Sequence, residues 1–185
     1  MTLSLLPLAR MGHPILSKKA EPVDLLKLEE IKIIVSNMKF TLDSIGDRLG
    51  LAAPQVHIPL QIVIFSIPKT EPSPRYDFDC EEVPFTVMIN PEITQTSHGK
   101  VLGWEGCISV PGMLGEVARF ESIEYSFYDL DGLHHHRKAQ GFHARIVQHE
   151  CDHLEGILFP MRIDDMNQFG FEEEIIQYNK NRSSD

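Results

Sequence analysis

The chain has 185 residues, 42% of them hydrophobic and 24% charged, enough for one domain with a buried core and too apolar for a disordered segment. Its formal net charge of −10 repels phosphate backbones, so no nucleic acid is expected as a partner. Three cysteines (Cys80, Cys107 and Cys151) are too few for a disulfide framework, and no apolar run reaches the roughly 18 residues of a membrane span. The first ten residues lack a basic start and Pro7 interrupts their apolar run, which makes a poor export signal; a reducing, intracellular setting is expected, and a bacterial cytoplasm rather than an organelle because there is no Arg/Ser-rich transit segment.

In chain order, residues 22–43 are expected to form the first long helix. Pro22 suits a first turn, and Leu25, Leu28, Ile31, Val35, Met38 and Leu42 recur at helical spacing. A loop over residues 43–48 leads into Leu49-Gly50-Leu51-Ala52-Ala53-Pro54-Gln55, and residues 61–67 read as a strand. Pro68, Pro72 and Pro74 mark a surface loop over residues 68–83; strand-like sequence resumes at residues 85–90, so this is not a domain boundary. Strand signals continue over 92–103 and 117–129, and Asp131-Gly132 has the signature of a hairpin turn. Residues 142–155 are helical in pattern, with Gly156 placed to end the helix, and residues 171–180 suggest a last short one.

The chemistry concentrates in Gln148-His149-Glu150-Cys151-Asp152-His153. His149 and His153 are four residues apart, so on a helix both imidazoles leave one face and can hold one metal ion. Glu150 stands at the edge of that face, within reach of a water as general base. Val147, Cys151, Leu154 and Leu158 share a core-facing stripe, while Phe142, Ile146, His149 and His153 share a neighbouring one. Two unpaired histidines beside apolar side chains make poor core residues and good ligands.

A catalytic site takes three protein ligands and leaves a position open. The best third is Cys107, in a predicted loop at Glu105-Gly106-Cys107-Ile108-Ser109, where a thiolate would join two imidazoles. Cys80, in an acidic stretch, has no visible partner, and His134-His135-His136 reads as an exposed hairpin strand rather than a metal site. With strands between helices, the fold expected is α+β, with mixed or antiparallel sheets packed around a central metal-binding helix, in a single domain over residues 1–185.

Three segments in order resemble the peptide deformylases, whose motifs are G-x-G-x-A-A-x-Q, E-G-C-x-S and Q-H-E-x-D-H. Here they stand as residues 48–55, 105–109 and 148–153, and the resemblance extends over residues 5–160. It implies a hydrolase that removes the formyl group from the N-terminal methionine of new proteins. It implies Cys107, His149 and His153 as ligands of one divalent ion, natively ferrous iron, with nickel, cobalt or zinc able to substitute. Glu150 would be the general acid and base, and the Gln55 amide and the Ile108 backbone N–H would stabilise charge on the formyl oxygen. The partners would be N-formylmethionyl peptides and nascent chains near the ribosome exit, with no membrane involved.

Backbone at Leu49-Gly50 and at residues 103–106 (Gly103, Glu105 and Gly106 among them) would flank a cleft where a peptide lies as an added strand. Phe142 and Ile146 would line a methionine pocket, with Arg145 at its rim, and Glu105 and Asp152 would steady the ligands. Arg48 departs from the family, which has glycine there; it offers a charge for a carboxylate or carbonyl of the incoming chain. A zinc endopeptidase drawing a third ligand from Glu172, Glu173 or Glu174 would leave Cys107 and Gln55 idle. A peptide-binding relative without turnover is disfavoured because Glu150 and all three ligands are present, and a structural zinc site because a fourth ligand is missing.

Overall fold

The strand β2 (Ile62–Ile67) fixes the layering, because both of its faces are apolar and both are covered. Ile62 and Ile64 join Val35, Met38 and Leu42 of helix α1 (Leu28–Ile45) in one core. Val63, Phe65 and Ile67 point the other way, into a second core with Val147 and Leu154 of helix α2 (Gly141–Leu154). Alternation at a period of two thus places a helix on each side of one sheet. The computed structural model describes residues 3–46, 48–69 and 82–182.

Among the described residues the strands form two antiparallel sheets. The larger has the order β1 (Gly50–Ala52), β2, β3 (Val83–Thr96), β6 (Ser122–Tyr128) and β7 (His134–Gln140). The smaller has the order β4 (Lys100–Cys107), β5 (Val110–Phe120) and β8 (Phe169–Phe171), with α3 (Glu172–Arg182) following. Helix α2 touches both sheets, and a third core of Cys107, Val117, Leu158 and Phe159 lies on the smaller one. β1 and β4 each lie at one edge of their sheet, with β7 and β8 at the opposite edges. This is the α+β architecture expected, built around α2.

Three local expectations change. The first helix starts at Leu28 instead of Pro22, because residues 21–23 are held extended by distant partners. Glu21 pairs with Leu60 in an isolated bridge and Val23 N–H donates to Asn90 Oδ1 at 2.7 Å. Cys107 ends strand β4 instead of lying in a loop: its pairing with Val110 closes a two-residue turn, Ile108-Ser109. Cys151 is half-buried against the core rather than sealed within it. The Asp131-Gly132 turn forms, with Gly132 at φ 77°, and Gly156 ends α2 at φ 73°. Cys80 and residues 70–81 of the proline-rich loop lie outside the described residues.

Candidate metal and active site

Helix geometry brings His149 and His153 together, with ring centroids 4.9 Å apart. The β4–β5 hairpin delivers Cys107 against them, its Sγ 3.4 Å from His153 Nε2. The ligand atoms of Cys107, His149 and His153 all lie within 4.8 Å of one another. Glu172, Glu173 and Glu174, the other ligand source weighed, begin α3 and are not in this cluster.

The electrostatics match a cation site. Burial opposes charge on Cys107, yet His153 and His149 hold its thiol well below the ordinary range. Burial likewise opposes protonation of His149, which Cys107 and Glu105 push well above the usual imidazole value. A thiolate facing charged imidazole is the arrangement in which a divalent ion displaces the proton. Two buried atoms, His153 Nδ1 and Glu150 Oε2, have no hydrogen-bond partner among the described residues. His153 turns its other nitrogen, Nε2, to Cys107, so the carboxylate oxygen of Glu150 is the one that fits an ion with its water beside this donor set.

Glu150 is buried, and burial raises its pKa despite the nearby His153 and His149. Gly50 lies against it: a β-carbon there would stand 2.8 Å from Glu150 Cδ. Gln55, also buried, is anchored through Oε1 by the Ala52 N–H at 2.8 Å. Its amide nitrogen therefore points inward, 3.3 Å from Cys107 Sγ and 3.2 Å from Ser109 Oγ. Ile108 occupies the turn next to Cys107.

Behind the ligands, Glu105 accepts from His149 Nδ1 at 2.9 Å, fixing that ring and leaving its Nε2 for the cluster. Arg119 grips the same carboxylate with Nε and Nη2 at 2.9 and 3.0 Å. Burial opposes ionisation of Glu105, but His149 and Arg119 hold it well below the usual carboxylate range.

A family profile described as polypeptide deformylase matches residues 5–169. This chain belongs to the peptide deformylase family. It is 45% identical over 169 residues to peptide deformylase 1 of Nitrosomonas europaea, covering 91% of this chain and 93% of the relative. It is 48% identical over 166 residues to peptide deformylase 2 of Pseudomonas putida, covering 89% and 90%. A class I type b peptide deformylase from Acinetobacter baumannii, solved with Met-Ala-Ser bound, superposes with a TM-score of 0.80 at 41% identity, over 88% of this chain and all of that one. The Thermotoga maritima deformylase gives 0.74 at 29% identity, over 88% and 99%. The chain is accordingly a hydrolase of a metal-dependent family, removing the N-formyl group from nascent peptides.

The structure corrects one expected position and adds one residue. Arg145 is not at a rim: it is buried, donating to Glu105 at 2.9 Å and to the carbonyls of Val101, Gly103 and Val117. It fits because Gly103 has no side chain; a β-carbon there would stand 2.8 Å from the guanidinium. Arg119 was not singled out from the sequence. Its signal was parity, since it shares the inward face of β5 with Val117, where an arginine needs an acidic partner. Leu49, Phe142 and Ile146 all border the core between α2 and the larger sheet, and Gly106 is exposed on β4. His134, His135 and His136 lie on β7 and pair locally: His135 with Asp129 at 2.6 Å, His136 with Glu124 at 3.4 Å, and His134 tilted against the Tyr128 ring. No helix among the described residues is long and apolar enough to cross a membrane.

Proposed function

We propose that Cys107, His149 and His153 hold one divalent ion, ferrous iron in the native protein, and that Glu150 moves the protons of formyl hydrolysis. The observation that carries this reading is the unpartnered buried Oε2 of Glu150, beside two imidazoles and a thiol and against the outer strand β1. The bound ion supplies an acidified water and a Lewis acid for the formyl oxygen. Glu150 takes a proton from the attacking water and returns one to the departing amine. The Gln55 amide, held by Ala52, and the Ile108 N–H donate to the oxyanion that develops. A thiolate with two imidazoles accepts iron, nickel, cobalt and zinc, and the ferrous form is the oxygen-sensitive one.

The peptide lies between the edge strands β1 and β4 as an added strand, held by backbone at Leu49 and Gly50 and at Gly103, Glu105 and Gly106. Met-Ala-Ser, bound by the Acinetobacter relative, is a peptide of this kind. The methionine side chain packs beside Leu49, Phe142 and Ile146. Residues 1–185 work as one domain in the bacterial cytoplasm, on formylated chains near the ribosome exit. The test is formate release from formyl-Met-Ala-Ser by anaerobic, iron-loaded protein beside Glu150→Ala. The variant retains its metal and loses about 100- to 10,000-fold in rate; undiminished release would overturn the role of Glu150.

A further inference from the structure

Three arginines and two carboxylates form a connected cluster that ends on a proposed metal ligand. Arg162, in a 3-10 turn after α2 (Phe159–Arg162), grips Asp152 through Nη2 at 2.7 Å and Nε at 3.1 Å. Asp152 Oδ2 also accepts from Arg119 Nη1 at 2.5 Å. The rest of the Arg119 fork holds Glu105, and Glu105 holds His149 Nδ1. Arg119, Glu105 and Asp152 are buried, whereas the Arg162 side chain is 46% exposed. It opens onto a cavity of about 520 Å³ on the side of α2 that carries Gln148, Cys151 and Asp152.

Arg119 is divided between two carboxylates. Asp152 without a second cation would draw the buried guanidinium more strongly, at the expense of Glu105, since unneutralised charge is costly in a site that excludes water. Arg145 donates to Glu105 through Nη1 alone and cannot replace the two-point grip of Arg119. We infer that Arg162 is a positioning residue for the metal site: by neutralising Asp152 it leaves Arg119 to clamp Glu105, and Glu105 then fixes the ring of His149. A carboxylate behind a ligating imidazole sets both ring orientation and donor strength. The inference rests on the assignment of Cys107, His149 and His153 as ligands.

The experiment uses the full chain loaded with cobalt(II), following visible d–d absorption and metal release to a chelator, at a temperature where circular dichroism shows each variant folded. Arg162→Ala is expected to release metal about ten-fold faster, shift the cobalt band and lower kcat with KM unchanged. Arg162→Lys restores most of the wild-type release rate, because charge beside Asp152 is what counts. Arg162→Gln, also neutral, stands in if the alanine variant does not fold. A wild-type spectrum and release rate in the neutral variants, with only Tm lowered, would mean that Arg162 merely ties the turn to α2, and the inference falls. His149→Ala separates the two readings. Loss of metal there with unchanged Arg162 variants overturns the positioning role alone, whereas a His149→Ala protein that keeps the wild-type cobalt spectrum overturns the ligand assignment.

Discussion

Gly50 and Glu150 are in contact across the site, so close that a β-carbon on residue 50 would overlap the carboxylate. Glu150 is buried at 5% exposure and cannot swing into solvent to make room. Gly50→Ala is therefore expected to displace the carboxylate and cost about 100-fold in kcat/KM, with metal content unchanged. Formate release and metal analysis on one preparation check this; full activity would mean that β1 yields instead.

Arg119 holds two buried carboxylates at once. Arg119→Ala leaves Glu105 with Arg145 and His149, and Asp152 with Arg162, so the loss falls at the lower end for a broken buried pair, about 3 kcal/mol. Urea unfolding measures it directly. A change under about 1 kcal/mol would show that the remaining guanidiniums close the gap.

At the β6–β7 hairpin, Asp129 accepts from the backbone N–H groups of Asp131 and Leu133 and from His135. Burial opposes its ionisation, but the His135 bond and the two N–H donors outweigh it and hold the carboxyl below the ordinary range. A pKa lowered by folding contributes stability that is present above the unfolded value, about 3.9, and lost as pH falls through the folded one. Asp129→Asn should flatten the decline in Tm below about pH 4 relative to wild type. Parallel curves for the two proteins would exclude the contribution.

Arg48, two residues before Gly50, is half-buried, and its side chain makes no hydrogen bond or ion pair among the described residues. We propose that it meets the carboxylate of a short incoming peptide. Arg48→Gly should raise KM for formyl-Met-Ala-Ser about three-fold at low salt and leave kcat unchanged. The amidated peptide should be indifferent to the substitution; an equal change with both peptides would remove Arg48 from recognition.

The sequence by itself determined what depends on neighbours along the chain. His149 and His153 share a face because a helix repeats every 3.6 residues, and Gly156 ends that helix because the left-handed region favours glycine. The hairpin at Asp131-Gly132 and the extended course of Ile62–Ile67 are local in the same sense. Tertiary structure decided whatever joins distant residues. Asn90 draws Val23 out of the first helix from 67 positions away. Cys107 reaches His153 across 46 positions because hairpin register places it there. Arg119 and Arg145 are internal because Glu105 lies opposite both, with Asp152 beside Arg119 and backbone carbonyls around Arg145, an energetic match between groups on different elements that no local periodicity encodes.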